Sequence, residues 1–190
     1  SQGFHPHMLV TFAMPLPVGA TSQGEYMDVV FREGPGVEEI AGRLAEALPP
    51  GWTVTGAHTV ADSAPALMAM TAQCDWQIDF PGMEAEALGA RAASLMASSQ
   101  VLVTKTSPKG PPKEVNIRDG ILTLKTAAVP DGARVWARLA AGSQLNIGPG
   151  LWVDALAPGI DARRLLLHRL ELYGLWEGKP LPLLELAACY

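Results

Sequence analysis

The sequence predicts an α+β fold, in which short strands and amphipathic helices follow one another irregularly along the chain. Apolar residues recur at helical spacing in some segments, whereas others are rich in strand-forming residues and bounded by Gly and Pro. The composition agrees with a folded protein, because 48% of the residues are hydrophobic, and 19 Gly and 16 Pro supply many turns.

The first 61 residues predict the order strand, strand, helix, strand. In the helix, Val37, Ile40 and Leu44 share one face, and Pro49-Pro50-Gly51 ends it. This order matches a ferredoxin-like unit whose first strand and helix are missing. Because the chain opens at Ser1, inside a structural motif, we expect that a preceding segment was removed or lost. The predicted strands span 8–14, 25–32 and 52–60, and the predicted helix spans 37–48.

Residues 72–173 predict a second small α+β unit, joined to the first by a linker or short helix at 62–72. The tail, 174–190, is rich in Leu and Pro and is expected to form an extended C-terminal arm. Arg118-Asp119-Gly120 is expected to be the tight turn of a hairpin, and Asp161 the N-cap of the last helix. The predicted strands of this unit span 74–80, 101–106, 113–117, 121–126 and 133–139, and the predicted helices span 83–97, 151–156 and 162–172.

The net charge of −5 argues against a protein that binds nucleic acid or a membrane surface over its whole area. One segment differs: the residues from Lys105 to Arg138 include seven basic and three acidic side chains. The net charge of this segment is +4, which leaves −9 for the rest of the chain. Cys74 and Cys189 are too few for a disulfide framework or an iron–sulfur cluster, and no apolar run is long enough to cross a membrane. These features predict a cytoplasmic protein without a cofactor or metal of its own.

His5-Pro6-His7 is the first candidate site. On an extended segment the two imidazoles lie on the same face, where they could ligate a metal or transfer a proton. A metal site needs at least a third ligand, and no Asp, Glu or Cys stands nearby at a suitable spacing. The plainer interpretation, that both histidines are hydrogen-bonded residues at the start of a strand, is favoured, so they are assigned only to a candidate cleft.

The basic segment is the second candidate site. Its turn, 107–113, holds Lys109 and Lys113 between two strands, and such a loop could bind phosphates and release counterions. The alternative is that these charges are solvated and keep a sheet edge from aggregating. The five tryptophans are scattered, and we expect them in the core rather than as stacking platforms. No catalytic motif is present, so no catalytic residue is assigned. The candidate phosphate-binding residues are Lys105, Lys109, Lys113 and Arg118.

Three motifs resemble the signature of the radical-SAM-linked protein family: Ser1-Gln2-Gly3-Phe4-His5-Pro6-His7, Pro15-Leu16-Pro17-Val18-Gly19 and Gly24-Glu25-Tyr26-Met27-Asp28. The resemblance is specific over residues 1–28 and extends loosely to 51. Two later segments, 113–118 and 142–149, are also similar to family motifs. They depart from it at Asn116, where the family has an acidic residue, and at Gly148, where it has an arginine.

The resemblance implies a partner. Members of that family are encoded beside, or fused to, a radical SAM protein with a cobalamin-binding-like region, so the cluster and cofactors would belong to that partner. We therefore expect a non-catalytic accessory or substrate-binding module that contacts RNA. The alternatives left open are an RNA-processing, nuclease-like enzyme using His5 or His7, and a purely structural interaction domain. The oligomeric state is not predicted.

Overall fold

Ten strands and five α-helices lie within the residues that the computed structural model describes, which are 9–31, 34–107, 110–143 and 145–190. The predicted α+β class is confirmed. The strands are β1 (Leu9–Phe12), β2 (Thr21–Ser22), β3 (Met27–Val30), β4 (Gln73–Pro81), β5 (Leu102–Ser107), β6 (Gly110–Asn116), β7 (Ile121–Val129), β8 (Gly132–Ala140), β9 (Leu166–Trp176) and β10 (Lys179–Pro182). The helices are α1 (Val37–Ala47), α2 (Leu67–Met70), α3 (Ala85–Ala97), α4 (Pro149–Leu156) and α5 (Leu183–Ala187).

The main sheet has the strand order β10-β9-β4-β8-β7, with every neighbouring pair antiparallel. The short strand β2 joins it in parallel along β9, where Thr21 pairs with His168. Two smaller sheets stand beside it, one of β1 with β3 and one of β5 with β6. β9 therefore pairs with an element from the N-terminal part of the chain, β2, and with one from the C-terminal part, β10.

The core lies against one face of the main sheet. Along β4 the side chains alternate strictly, so that Cys74, Trp76, Ile78 and Phe80 are at most 1% exposed, whereas the residues between them are half-buried. β8 alternates in register with β4, and α3 packs Leu88 onto the same buried face. The opposite face, called here the open face, keeps access to solvent.

The turn between β7 and β8 depends on a glycine. Gly132 has a positive φ of 150°, and a Cβ at that position would collide with the carbonyl oxygen of Phe80. Glycine avoids both the conformational cost and the clash, because it has no side chain. The close approach lets β4 continue its pairing with β8 to the end of both strands.

Three local predictions were wrong. Residues 52–60 form no strand: they pair with none of the described strands, and Trp52 is 60% exposed, so its indole does not hold the segment against a sheet. Residues 162–172 form a short 3₁₀ turn and then β9 rather than a helix, although Asp161 does cap the turn by accepting the Arg163 N–H at 3.0 Å. The turn at 118–120 does not close a hairpin, because β6 pairs with β5 and β7 with β8.

The predicted division into units at 1–61, 72–173 and 174–190 stays a prediction. β1 and β3 pair and α1 follows, as the ferredoxin-like interpretation expects of those elements. However, the pairing of β2 with β9 links the first unit to the second, and α5 in the tail buries Leu183 and Leu186 in the chain's own core. None of the helices in the described ranges is long and apolar enough to cross a membrane.

Candidate nucleic-acid interface

The structure describes only part of the predicted site. His5, His7 and Lys109 lie outside the described residues, so their roles in a cleft or in phosphate binding stay predictions. Lys105, Lys113 and Arg118 are described, and the structure places them in two different environments.

Lys105 and Lys113 face each other across the β5–β6 hairpin. They are direct register partners, and both are exposed. Because side chains alternate along a strand, Glu114 points to the other face and does not stand between them. Like charges directly opposite one another destabilise a strand pair. An anion that binds between the two ammonium groups would relieve that repulsion.

Arg118 has a structural role. Its guanidinium donates hydrogen bonds to three main-chain carbonyls, at 2.8 Å to Met96, 3.1 Å to Ser98 and 3.0 Å to Ile121. The first two lie at the C-terminal end of α3, where carbonyl groups lack helical partners. Arg118 therefore ties the end of α3 to the start of β7, which competes with its predicted contact to a phosphate.

Asn116 holds the same junction. Its side-chain oxygen accepts hydrogen bonds from the main-chain N–H groups of Val101, at 2.9 Å, and Arg118, at 3.1 Å. A carboxylate of similar length could accept both bonds. Asn116 therefore has a structural role in this chain, because it joins the residue before β5 to the turn that follows β6.

The motif Gly24-Glu25-Tyr26-Met27-Asp28 fastens the N-terminal segment to β9. Tyr26 donates a hydrogen bond to the Glu171 carboxylate at 2.6 Å, and Glu25 pairs with Arg169. Gly24 is required by the close approach, because a Cβ there would lie 2.9 Å from the Cα of Glu171. Burial, followed by the hydrogen bond to Glu171, raises the pKa of Tyr26 well above its ordinary range, so this hydroxyl stays protonated.

Arg169 is the centre of that attachment and is fully buried. Its guanidinium donates to the Glu25 carboxylate at 2.9 and 3.0 Å and to the carbonyl oxygen of Pro15 at 2.8 Å, with a longer bond of 3.4 Å to Met14. It also stacks over the Trp76 ring, 4.9 Å from the ring centroid. A buried charge requires such partners, because leaving it unpaired would cost several kcal/mol.

The sequence did not indicate Arg169. It stands between His168 and Leu170 in a stretch that resembles one face of a helix, and its acidic partner is 144 residues away. The signal in the sequence is an arginine close to several leucines, which becomes informative once β9 is known to be a strand on which Arg169 faces the core.

Two aspartate–arginine pairs cross the open face of the main sheet. Asp75 accepts two hydrogen bonds of 2.7 Å from Arg138, and Asp79 accepts bonds of 2.6 and 2.8 Å from Arg134. The hydrogen bonds from Arg134 hold the pKa of Asp79 below its ordinary value, although partial burial opposes the shift. Between the pairs, Trp136 donates its indole N–H to Gln77 at 3.2 Å. This face therefore carries fixed, planar, polar groups.

The predicted core placement of the tryptophans holds for Trp76 and Trp152, which are 1% and 0% exposed. It is wrong for Trp52 and Trp176, which are exposed, and Trp136 is half-buried on the open face. No cluster of three or more His, Cys, Asp and Glu side chains suited to a metal ion occurs in the part of the chain that the structure describes.

The comparison with known families shows which family the chain resembles. A family model described as "Uncharacterized protein conserved in bacteria (DUF2344)" matches residues 1–149. The match includes the β5–β6 hairpin and the motif at 24–28, but β9, which holds the partners of Glu25 and Tyr26, lies beyond it. No protein with a curated description matches the chain.

Proposed function

The chain belongs to the bacterial family DUF2344, and from that premise we propose that it is a non-catalytic accessory module that binds an RNA substrate for a radical SAM partner. The resemblance of residues 1–28 to the radical-SAM-linked signature supports the partner, because members of that family are encoded beside or fused to such a protein. The RNA contact is supported by the charged hairpin described above.

The facing pair Lys105 and Lys113 carries the proposal. Both ammonium groups lie on one side of an exposed hairpin, in a chain whose net charge is −5. A local positive surface on an acidic protein favours a localised contact with a polyanion and disfavours coating of the whole surface. Arg118 is left out of the proposed contact because its donors serve α3 and β7.

RNA binding at different salt concentrations tests this contact. Each phosphate contact contributes about 0.7 to the slope of log affinity against log salt for single strands and about 0.9 for a duplex. The double variant Lys105→Gln/Lys113→Gln is therefore expected to bind fluorescently labelled RNA with a slope shallower by roughly 1.4 to 1.8. Fluorescence anisotropy between about 50 and 200 mM salt measures it.

A matched control removes two positive charges elsewhere. Arg91 on α3 and Lys179 on β10 are both exposed, so Arg91→Gln/Lys179→Gln changes the net charge equally and is expected to keep the slope of the original protein. Equal slopes for the two double variants would contradict the hairpin contact. Absence of RNA binding at low salt would refute the RNA part of the proposal altogether.

The partner is tested separately. A tagged chain is expected to co-purify with the radical SAM protein encoded beside its gene. If no such gene is adjacent or fused, or if the two proteins fail to associate when they are produced together, the accessory role is wrong whatever the RNA result.

A further inference from the structure

A row of side chains crosses the open face of the main sheet. Lys125 of β7 is the register partner of Trp136 of β8, Trp136 is the partner of Gln77 of β4, and Gln77 is the partner of His168 of β9. The same face carries Arg138, which lies opposite Asp75. All of these residues keep access to solvent, in contrast with the buried side chains of the other face.

A depression of about 230 Å³ lies beside this row. A volume of this size is smaller than the usual range for sites that bind drug-sized molecules or cofactors, roughly 300–1,000 Å³, and suits one planar group. Leu170 contributes an apolar side chain to it, because it is the extra residue of a bulge in β9. The lining side chains of this face are Asp75, Thr123, Lys125, Trp136, Arg138 and Leu170.

Two planar groups at this depression are fixed in advance. The Trp136 indole is held by its hydrogen bond to Gln77, and the Arg138 guanidinium is held by two hydrogen bonds to Asp75 and lies 4.3 Å from the centroid of the Tyr173 ring. Groups that are already ordered lose little conformational entropy when a ligand stacks on them. Aromatic rings and guanidinium planes are the surfaces on which proteins stack unpaired bases.

The charges on this face also suit a base better than a cluster of phosphates. Asp75 neutralises Arg138 and Asp79 neutralises Arg134. Lys125 is exposed, and it stands one strand away from Trp136. A base in the depression would meet the paired Asp75 and Arg138 beside Trp136, and its own phosphate could reach the Lys125 ammonium group at the β7 side.

We propose that this depression binds one unpaired base of single-stranded RNA, stacked on Trp136, with the adjoining phosphate at Lys125. The inference rests on the proposed RNA-binding function and adds the kind of RNA, because a duplex keeps its bases stacked inside and cannot offer one to a sheet face. The open face would then select single strands, while the β5–β6 hairpin would bind phosphates of any RNA.

The test compares an oligouridine with a blunt RNA duplex of the same length, by fluorescence anisotropy at about 50 mM salt. Trp136→Leu removes the aromatic ring but keeps apolar bulk on the strand, and it is expected to weaken oligouridine binding about 5- to 150-fold without changing duplex binding. Trp136→Phe is expected to retain most of the affinity. Trp52→Leu is the control, because Trp52 is 60% exposed and lies outside the sheet. Thermal unfolding of each variant checks that it is folded.

The outcomes separate the two ideas. If Trp136→Leu is folded and binds oligouridine as well as the original protein, the base site is overturned while the hairpin contact can stand. If Trp136→Leu weakens oligouridine binding but Lys105→Gln/Lys113→Gln does not, the hairpin contact is overturned and the base site stands. Should Trp136→Leu fail to fold, Lys125→Gln is tested instead and is expected to reduce the preference for oligouridine over the duplex. An unchanged preference would overturn the base site. Absence of all RNA binding overturns both.

Discussion

Removing the carboxylate of Glu25 is expected to destabilise the protein strongly. In the Glu25→Ala variant the buried guanidinium of Arg169 loses its only described acidic partner, and breaking a buried pair in this way costs about 3–5 kcal/mol. Two features reduce the cost. The carbonyl oxygens of Pro15 and Met14 still accept hydrogen bonds from Arg169, and the Glu25 side chain is 22% exposed, so that water can enter. We therefore expect Glu25→Ala to lower the free energy of unfolding by about 3 kcal/mol.

Urea unfolding measures this change as a lower midpoint with an unchanged slope. For a chain of this size, about 3 kcal/mol corresponds to a fall in Tm of roughly 6–12 °C. The control is Glu39→Ala, because Glu39 forms an exposed pair with Arg43 at 3.5 Å within α1, and its loss is expected to cost under about 0.5 kcal/mol.

A second substitution tests the reason for the loss. If the cost arises from an unpaired buried charge, Arg169→Met in the Glu25→Ala background should restore most of the stability, because it removes that charge and keeps an apolar side chain against Trp76. A loss under about 1 kcal/mol for Glu25→Ala, or effects of the two substitutions that simply add, would refute the reasoning.

Two further predictions concern titration and thiol reactivity. The pKa of Asp79 is lower in the folded state, so its pair with Arg134 stabilises the protein above about pH 4, and this stabilisation is lost as the pH falls through the folded pKa. The urea midpoint should therefore fall more steeply on acidification for the original protein than for Asp79→Asn. Parallel curves for the two proteins would contradict this. Burial raises the pKa of the Cys74 thiol to about 11, whereas Cys189 is exposed. At pH 8 a thiol reagent should therefore modify only Cys189 rapidly in the folded chain, and both cysteines in denaturant. Rapid modification of both in the folded chain would show that Cys74 is accessible.

The sequence predicted best those elements whose period is regular and whose neighbours are close in the chain. α1 and α3 begin and end within about two residues of their predicted bounds, because Pro and Gly stop the first and an Ala-rich pattern defines the second. β4 and β8 were equally accessible to prediction, since each alternates between buried and half-buried positions without interruption.

β9 escaped prediction for two physical reasons. A bulge at Leu170 shifts the alternation halfway along the strand, and a charged residue, Arg169, occupies a position that faces the core. Together they leave a pattern of leucines that fits a helix as well as a strand. The buried charge of Arg169 is stabilised by Glu25 together with the carbonyl oxygen of Pro15, and no local sequence rule connects residues so far apart.

The placement of the candidate phosphate-binding residues was predicted in part, and their function stays a prediction. Lys105 was expected on a strand and Lys113 at the end of the turn, where the next strand begins; the structure places them opposite one another. The role of Arg118 could not be foreseen, because it depends on where α3 ends in space. The same holds for Trp136, whose position on the open face follows from the register with β4.

The attachment of the N-terminal segment to β9 has a consequence for synthesis of the chain. Glu25 leaves the ribosome 144 residues before Arg169, which at 5–20 residues per second is about 7–29 seconds earlier. During that interval β9 does not yet exist, so the segment at 13–28 cannot dock on it. Its apolar side chains, such as Leu16, which packs against the core of the folded protein, are then open to chaperones or to another nascent chain. The segment at 13–28 can therefore dock only after β9 has been synthesised, and a truncation before β9 would leave that segment without the partners of Glu25 and Tyr26.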